Sequence, residues 1–299
     1  MGRFADILGA IKDVRGRLSR GQRFVAHLAL LCICTGYILP LVWMISTSLK
    51  PLEQTQEATP TFIPRPPQPG NYVEVMTHDL IDFPLFTRNT LLIAVLCVAG
   101  ATLSSAVVAY GFARINFRGR GFLFALMLAT MMVPFPVTMV SMFAIFRWLG
   151  ENGFGQWLGT FRPLWVPVWF GNAFSIFLLR QFFRTIPRDL SEAARIDGCS
   201  EFGIFFRIIM PLSKPAIAVV ALFTFMGVWN DFLGPLVYLQ DQQQYTLALG
   251  LQAFQSHHTG VEWHLLMAAS VLILTPVIVL FFAAQRTFIE GIATTGMKG

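Results

Sequence analysis

Trp229, Asn230 and Asp231 stand side by side in an apolar stretch, 215–240, whose only charge is Asp231 itself. An aromatic face for C–H groups beside polar edges for hydroxyls is what a polyhydroxylated solute would need. A carboxylate at the centre of an apolar helix costs about 2.5–3.5 kcal/mol, so Asp231 should face protein or water, not lipid. Gly234–Pro235 follow closely and predict a helix that loosens there. A second reading has Asn230 and Asp231 hydrogen-bonded to a neighbouring helix, the commoner use of such residues. Asn172, beside Gly171 in a short interrupted stretch, poses the same choice between solute pathway and packing.

Other chemistry is poorly served. His257, His258, Glu262 and His264 cluster without the spacing of HExxH or another closed ligand set, so no metal site is expected. Cys32, Cys34, Cys97 and Cys199 form no CxxC pair, and the first three sit in apolar runs. The glycines of the tail, Gly291 and Gly296, are followed by Met297 and Lys298, which lacks the Lys-Ser/Thr placement of a phosphate loop. No Ser/His/Asp set or paired carboxylates are present, so no catalytic residue and no bound cofactor are expected.

The elements that must position these residues are membrane helices. Of 299 residues, 55% are hydrophobic and 13% charged, with a mean hydropathy of +0.61. A soluble domain carries about 25% charged residues, so disorder is excluded and a soluble globular enzyme is disfavoured. Uncharged runs cover 24–49, 89–113, 121–146, 163–179 and 263–285, and 215–240 is broken only by Asp231. A spanning helix needs about 20 apolar residues, which all but the fourth run meet. These runs are continuous rather than alternating, which favours helices over a barrel. They predict an all-α membrane protein with six transmembrane helices near 24–46, 89–112, 121–146, 163–180, 215–239 and 264–285.

With the N-terminus inside, the cytoplasmic segments hold 17 of the 22 Lys and Arg residues and the outer ones five. The positive-inside rule therefore places both termini in the cytoplasm. The net charge of +6 is thereby a topology signal, and nucleic-acid binding loses its main support. The first apolar run is far longer than the 7–15 residues of a signal-peptide core, so an uncleaved helix is expected. Ahead of it, Phe4, Ile7, Leu8, Ile11 and Leu18 recur at helical spacing among basic residues and predict an amphipathic helix on the inner membrane surface. In the outer loop 47–88, Pro60, Pro64, Pro66, Pro67 and Pro69 favour an extended strap, either a spacer or a surface for an external partner.

The cytoplasmic stretch 187–215 reads PRDLSEAARIDGCSEFGIFFRIIMPLSKP. Asp189 and Glu192 have capping-box spacing and predict the start of a short helix, which Gly198 should stop. Ser200 can cap a second helix with Phe202, Phe205, Phe206 and Ile209 on one face, ended by Pro211 and Pro215. Two short helices joined by a glycine beneath the membrane form either a lever or an interfacial pair that packs under the bundle.

EAA, three residues, Gly, nine residues, Ile, one residue and Met-Pro resembles the EAA loop of binding-protein-dependent ABC importer permeases, with Met210 where Leu is usual. TSLKP at 47–51, Asn71–Tyr72, AYGFAR at 109–114, WNDFLGPL at 229–236 and the tail QRTFIEGIATTGMKG at 285–299 resemble its carbohydrate (MalG-type) branch. The resemblance implies a cytoplasmic segment 1–23, a permease domain 24–285 with a coupling loop at 181–214, and a cytoplasmic tail 286–299. It implies that Glu192, Ala193, Ala194, Asp197, Gly198, Phe202, Phe206 and Pro211 engage a cytoplasmic ATPase. It further implies a second homologous permease, two ABC ATPase subunits carrying ATP and Mg, an external solute-binding protein, and residence in a prokaryotic inner membrane. The implied cargo is a sugar or oligosaccharide, with glycerol-phosphate or a peptide as alternatives. An ion-driven secondary transporter is a rival class, opposed by the lone intramembrane acid and the lack of a visible inverted repeat.

Overall fold

A computed structural model describes residues 19–78, 81–255 and 261–295, so the expected amphipathic helix over the first 18 residues lies outside the described residues. All regular structure among the described residues is helical. They form two compact units, one holding the chain up to Tyr72 with Glu262–Val271, the other holding Val73–Val261 and Leu272 onward.

In the first unit, helix α1 (Arg20–Ser48) opens on a capping box in which Ser19 and Gln22 each bond the other's backbone N–H. Its apolar side chains are exposed all round, Phe24, Leu31, Tyr37 and Val42 among them, as suits a helix bathed in lipid. The expected strap then folds back over the end of α1. Asn71 Nδ2 donates to the carbonyls of Ser48 and Lys50, both at 2.9 Å, and the Tyr72 hydroxyl lies 2.6 Å from Ser48 Oγ. Gln54 bonds Thr61, Ile63 and Arg65, while Ser46 bonds the Phe62 carbonyl. The TSLKP and Asn-Tyr motifs are therefore two halves of one cap.

The second unit is built around α3 (Phe83–Arg114), which follows α2 (Gly70–Thr77) and is capped by Asp82. Its 32 residues span about 48 Å, more than the roughly 30 Å of a hydrocarbon core. Small buried residues (Ala94, Cys97, Ala101, Ser105, Ala109) let α6 (Ala173–Thr185) and α9 (Lys214–Trp229) pack closely against it. At Gly100 the turn Pro167–Phe170 also comes close to α3. An added Cβ there would lie 2.3 Å from a Trp169 ring carbon, whose indole donates to the Leu96 carbonyl. Gly100→Ala should lower the thermal midpoint by several degrees, since overpacking costs about 1–3 kcal/mol. Gly111→Ala, with nothing within 4 Å of its Cβ, should leave it unchanged or raised. Thermal unfolding in detergent checks the pair.

Among the described residues three helices are long and apolar enough to cross a membrane: Gly21–Ser48, Phe83–Arg114 and Trp263–Gln285. The expected helix at 121–146 is a pair, α4 (Arg120–Thr130) and α5 (Phe135–Glu151), bent by 97° where Pro134 and Pro136 interrupt the ladder. The stretch 163–180 breaks at Gly171, whose φ of +96° few other residues adopt, and regains helix only as α6. The stretch 215–239 is α9 and then α10 (Leu233–Tyr238), interrupted at residues 230–232, ahead of the Gly-Pro pair expected to loosen it. After α11 (Leu247–Ala253), α12 (Trp263–Thr295) runs ten residues past the expected end of its span.

Candidate functional site

The stretch 187–212 folds as two helices meeting at a glycine, as expected, with different local chemistry. Helix α7 (Arg188–Ile196) starts two residues early, with Pro187 at the N-cap in place of Asp189 and no side-chain cap, so the Asp189–Glu192 box does not form. Asp189 falls instead in the first turn, where its charge suits the helix dipole. Gly198, at φ +81°, ends α7 in a Schellman motif: its N–H reaches the Arg195 carbonyl at 3.0 Å, and Cys199 N–H reaches Ala194 at 2.8 Å. Ser200 caps α8 (Glu201–Ile204) through Gly203 N–H, as its type predicted.

Past α8 the helix widens into a π turn at Phe205–Ile209 and continues through Pro211 to Leu212, bending 78° into α9. Pro211 thus lies within this helix and does not end it. The expected single aromatic face is split. Phe205 and Ile209 are buried with Ile204 in the main core cluster, whereas Phe202 and Phe206 are 75% and 57% exposed. Both face outward, and Ile196, 86% exposed, is a further apolar side chain left in the open. Glu192, Ala193, Asp197, Gly198 and Pro211 are also exposed, while half-buried Ala194 packs on the core cluster.

Three residues to which no role was assigned from sequence tie this lever to α3. The Tyr110 hydroxyl donates to Glu201 Oε2 at 2.6 Å, and Arg195 Nε donates to Glu201 Oε1 at 2.7 Å. One carboxylate thereby joins α3, α7 and α8. The Arg195 bond, then the Tyr110 bond, holds the Glu201 carboxyl below its ordinary range. Arg114 Nη2 donates to the Phe183 and Ile186 carbonyls at 2.7 and 2.6 Å, satisfying the exit of α6. In return Arg180, on α6, donates to the Phe112 carbonyl at 3.3 Å and lies 3.9 Å over the Phe124 ring. Tyr110 and Arg114 both belong to AYGFAR, quoted above only for its resemblance; a basic residue closing a long apolar helix is the signal that could have found Arg114.

The pathway candidates are not brought together: among the described residues no hydrogen bond joins Asn172 to 229–231. Trp229 is 2% exposed, stacks on Phe225 and donates to the Ile273 carbonyl at 3.1 Å, so its face is taken up by protein. Asn230 bonds Met226 of its own helix, not a neighbouring one. Half-buried Asp231 accepts from Gly234 N–H at 3.1 Å, and Asn172 accepts from Ser175 N–H at 3.1 Å. Asn172 thereby caps α6, and Asp231, one residue ahead of the N-cap Phe232, binds the first turn of α10. His257 and His258 lie outside the described residues, and no metal-binding trio occurs among the described residues.

Residues 101–293 match the family model described as "Binding-protein-dependent transport system inner membrane component". The chain is 32% identical to the arabinooligosaccharides transport system permease protein AraQ of Halalkalibacterium halodurans, over 94% of this chain and 96% of that one. It is 30% identical to the trehalose/maltose transport system permease protein MalG of Thermococcus litoralis, over 94% and 98%. Its fold matches a chain in the crystal structure of a bacterial ABC transporter that imports alginate, with a TM-score of 0.78, 23% identity, and coverage of 90% and 98%.

Proposed function

The chain belongs to the family of binding-protein-dependent transport system inner membrane components, and from that premise we propose that it is the permease subunit of an ATP-driven sugar or oligosaccharide importer. The observation that carries this reading is the outward face of the lever, where Glu192, Ala193, Asp197 and Gly198 stand clear of the core beside exposed Phe202 and Phe206. An exposed aromatic pair next to a short polar helix fits a groove on a cytoplasmic partner better than it fits water.

Six spans with both termini inside accommodate this. The bent pair 120–151 and the broken stretches 162–185 and 214–238 supply three of them, since breaks at membrane depth are tolerated where backbone is buried in protein or faces a wet path. Two ATPase subunits hold ATP and Mg, a second homologous permease completes the pathway, and an external binding protein delivers the solute in a prokaryotic inner membrane. When the ATPases close, they displace α7. The Glu201 clamp and the Arg114–Arg180 exchange pass that displacement to α3 and α6, whose tilt opens the pathway outward. Asn172 and Asp231, each at a helix break, are the polar groups nearest to hand for the solute's hydroxyls.

Glu192→Lys tests the reading. The variant should insert and assemble normally while uptake falls about tenfold or more and ATP hydrolysis continues, as expected when an interface charge is reversed. Wild-type uptake removes α7 from the mechanism. Co-purification from native membranes should recover an ATPase and a second permease.

A further inference from the structure

We propose that the cavity beneath the outer strap is a receptor for a carboxylate group, with the Lys50 ammonium as its anchor. The cavity encloses about 220 Å³ and is lined by Trp43, Thr47, Lys50, Glu57 and Trp263 among others. Lys50 is only 3% exposed. Its Nζ donates to Thr47 Oγ1 at 3.3 Å and lies 4.1 Å over the Trp43 ring. Among the described residues no carboxylate comes within ion-pair range of it. One hydroxyl and one ring face are thin compensation for an ammonium taken out of water, which carries three donors and normally keeps a counter-charge when buried.

The other polar groups around the cavity are already committed. Gln54 directs its amide to Thr61, Ile63 and Arg65, and the Thr55 hydroxyl donates to Leu52. A neutral polyol would therefore leave the ammonium uncompensated, and a dianion would meet only one cation. A single carboxylate matches the charge. Glu57, exposed at the rim, shares the cavity and acts as its resident competitor. The frame is preorganised: Asn71, Tyr72 and the Gln68 N–H to Leu49 carbonyl bond hold the backbone on either side of Lys50, so little order is lost on binding. Burial also holds the Lys50 amine below its ordinary value, with Glu57 working against that. The positive-inside topology puts this cavity outside, where the carboxylate is either a free sugar acid or a side chain of a docked protein.

Acetylation of the four lysines of the full chain in nanodiscs, quantified by mass spectrometry, reads the site directly, with Lys214 as internal reference. Two matched pairs of probes separate the sources: glucuronate against glucose, and N-acetylglutamate amide against N-acetylglutamine amide. A charged probe at a few times its Kd should slow Lys50 acetylation about threefold or more, without effect at Lys214 or from its neutral match. Protection by glucuronate alone assigns the cavity to a free sugar acid, and protection by the glutamate analogue, alone or as well, to a side chain. Glu57→Gln should deepen the protection. Equal effects of charged and neutral probes, or no effect from either, overturn the proposal. A Lys50 that the reagent never reaches also overturns it, because a cavity closed to an acetyl group is closed to a carboxylate.

Discussion

With Glu201 replaced by leucine, uptake falls about tenfold while the assembled transporter goes on hydrolysing ATP. The substitution removes the acceptor shared by Tyr110 and Arg195, so α3 and α7 lose their common tie. Charge-assisted hydrogen bonds contribute about 1.5–3 kcal/mol each, and partial exposure of this carboxylate reduces the pair to roughly 1–2 kcal/mol, near a factor of ten. Glutamine keeps one acceptor oxygen for Arg195 and should recover part of the activity, and Tyr110→Phe should resemble it. A merely structural role for Glu201 would instead lower uptake and ATP hydrolysis together, along with the amount of chain in the membrane. The carboxyl's low folded pKa adds a sign. The clamp's contribution is complete above the ordinary carboxylate range and is lost as pH falls through the depressed value. Proteoliposome uptake beside ATPase rates measures both arms.

Gly198 gives the second large effect, and it arises wholly in the backbone. Its φ of +81° costs a residue with a Cβ about 1–2 kcal/mol, yet no atom lies within 4 Å of where that Cβ would stand. Uptake should therefore rank Gly, then Asn, then Ala, then Val, because Asn tolerates the left-handed conformation and a β-branched residue does not. Gly198→Val should cost roughly tenfold or more with normal insertion, since the chain must leave the Schellman turn and re-aim α8. If Ala outperforms Asn, side-chain volume at the partner's surface governs this position, and the turn argument fails.

Much of this was legible from residue types alone. Charge gaps located every apolar stretch because lipid excludes charge wherever a helix crosses it. They are blind to backbone breaks, so the bend at Pro134 was absorbed into a continuous helix. Gly171 and the Gly234–Pro235 pair were the exceptions, the second break falling at 230–232, just ahead of its pair. In the lever, Gly198 and Ser200 were legible because their roles are local. The split of Phe202 and Phe206 from Phe205 and Ile209 was not, since a uniform helical period assumes away a π turn. The Tyr110–Glu201 clamp joins residues 91 positions apart, and nothing in local spacing reports such a pair.

The π turn at Phe205–Ile209 has a mechanical meaning. It is an α-helix carrying one surplus residue, and a surplus residue can be handed along a helix without unwinding it. Passing it toward Leu212 would turn the segment behind it by about 100° and advance it by about 1.5 Å, one residue's share of a helical repeat. The segment between the outward aromatic pair and α9 is thus a geared joint, able to turn a push along its axis into rotation of the membrane helix that follows it.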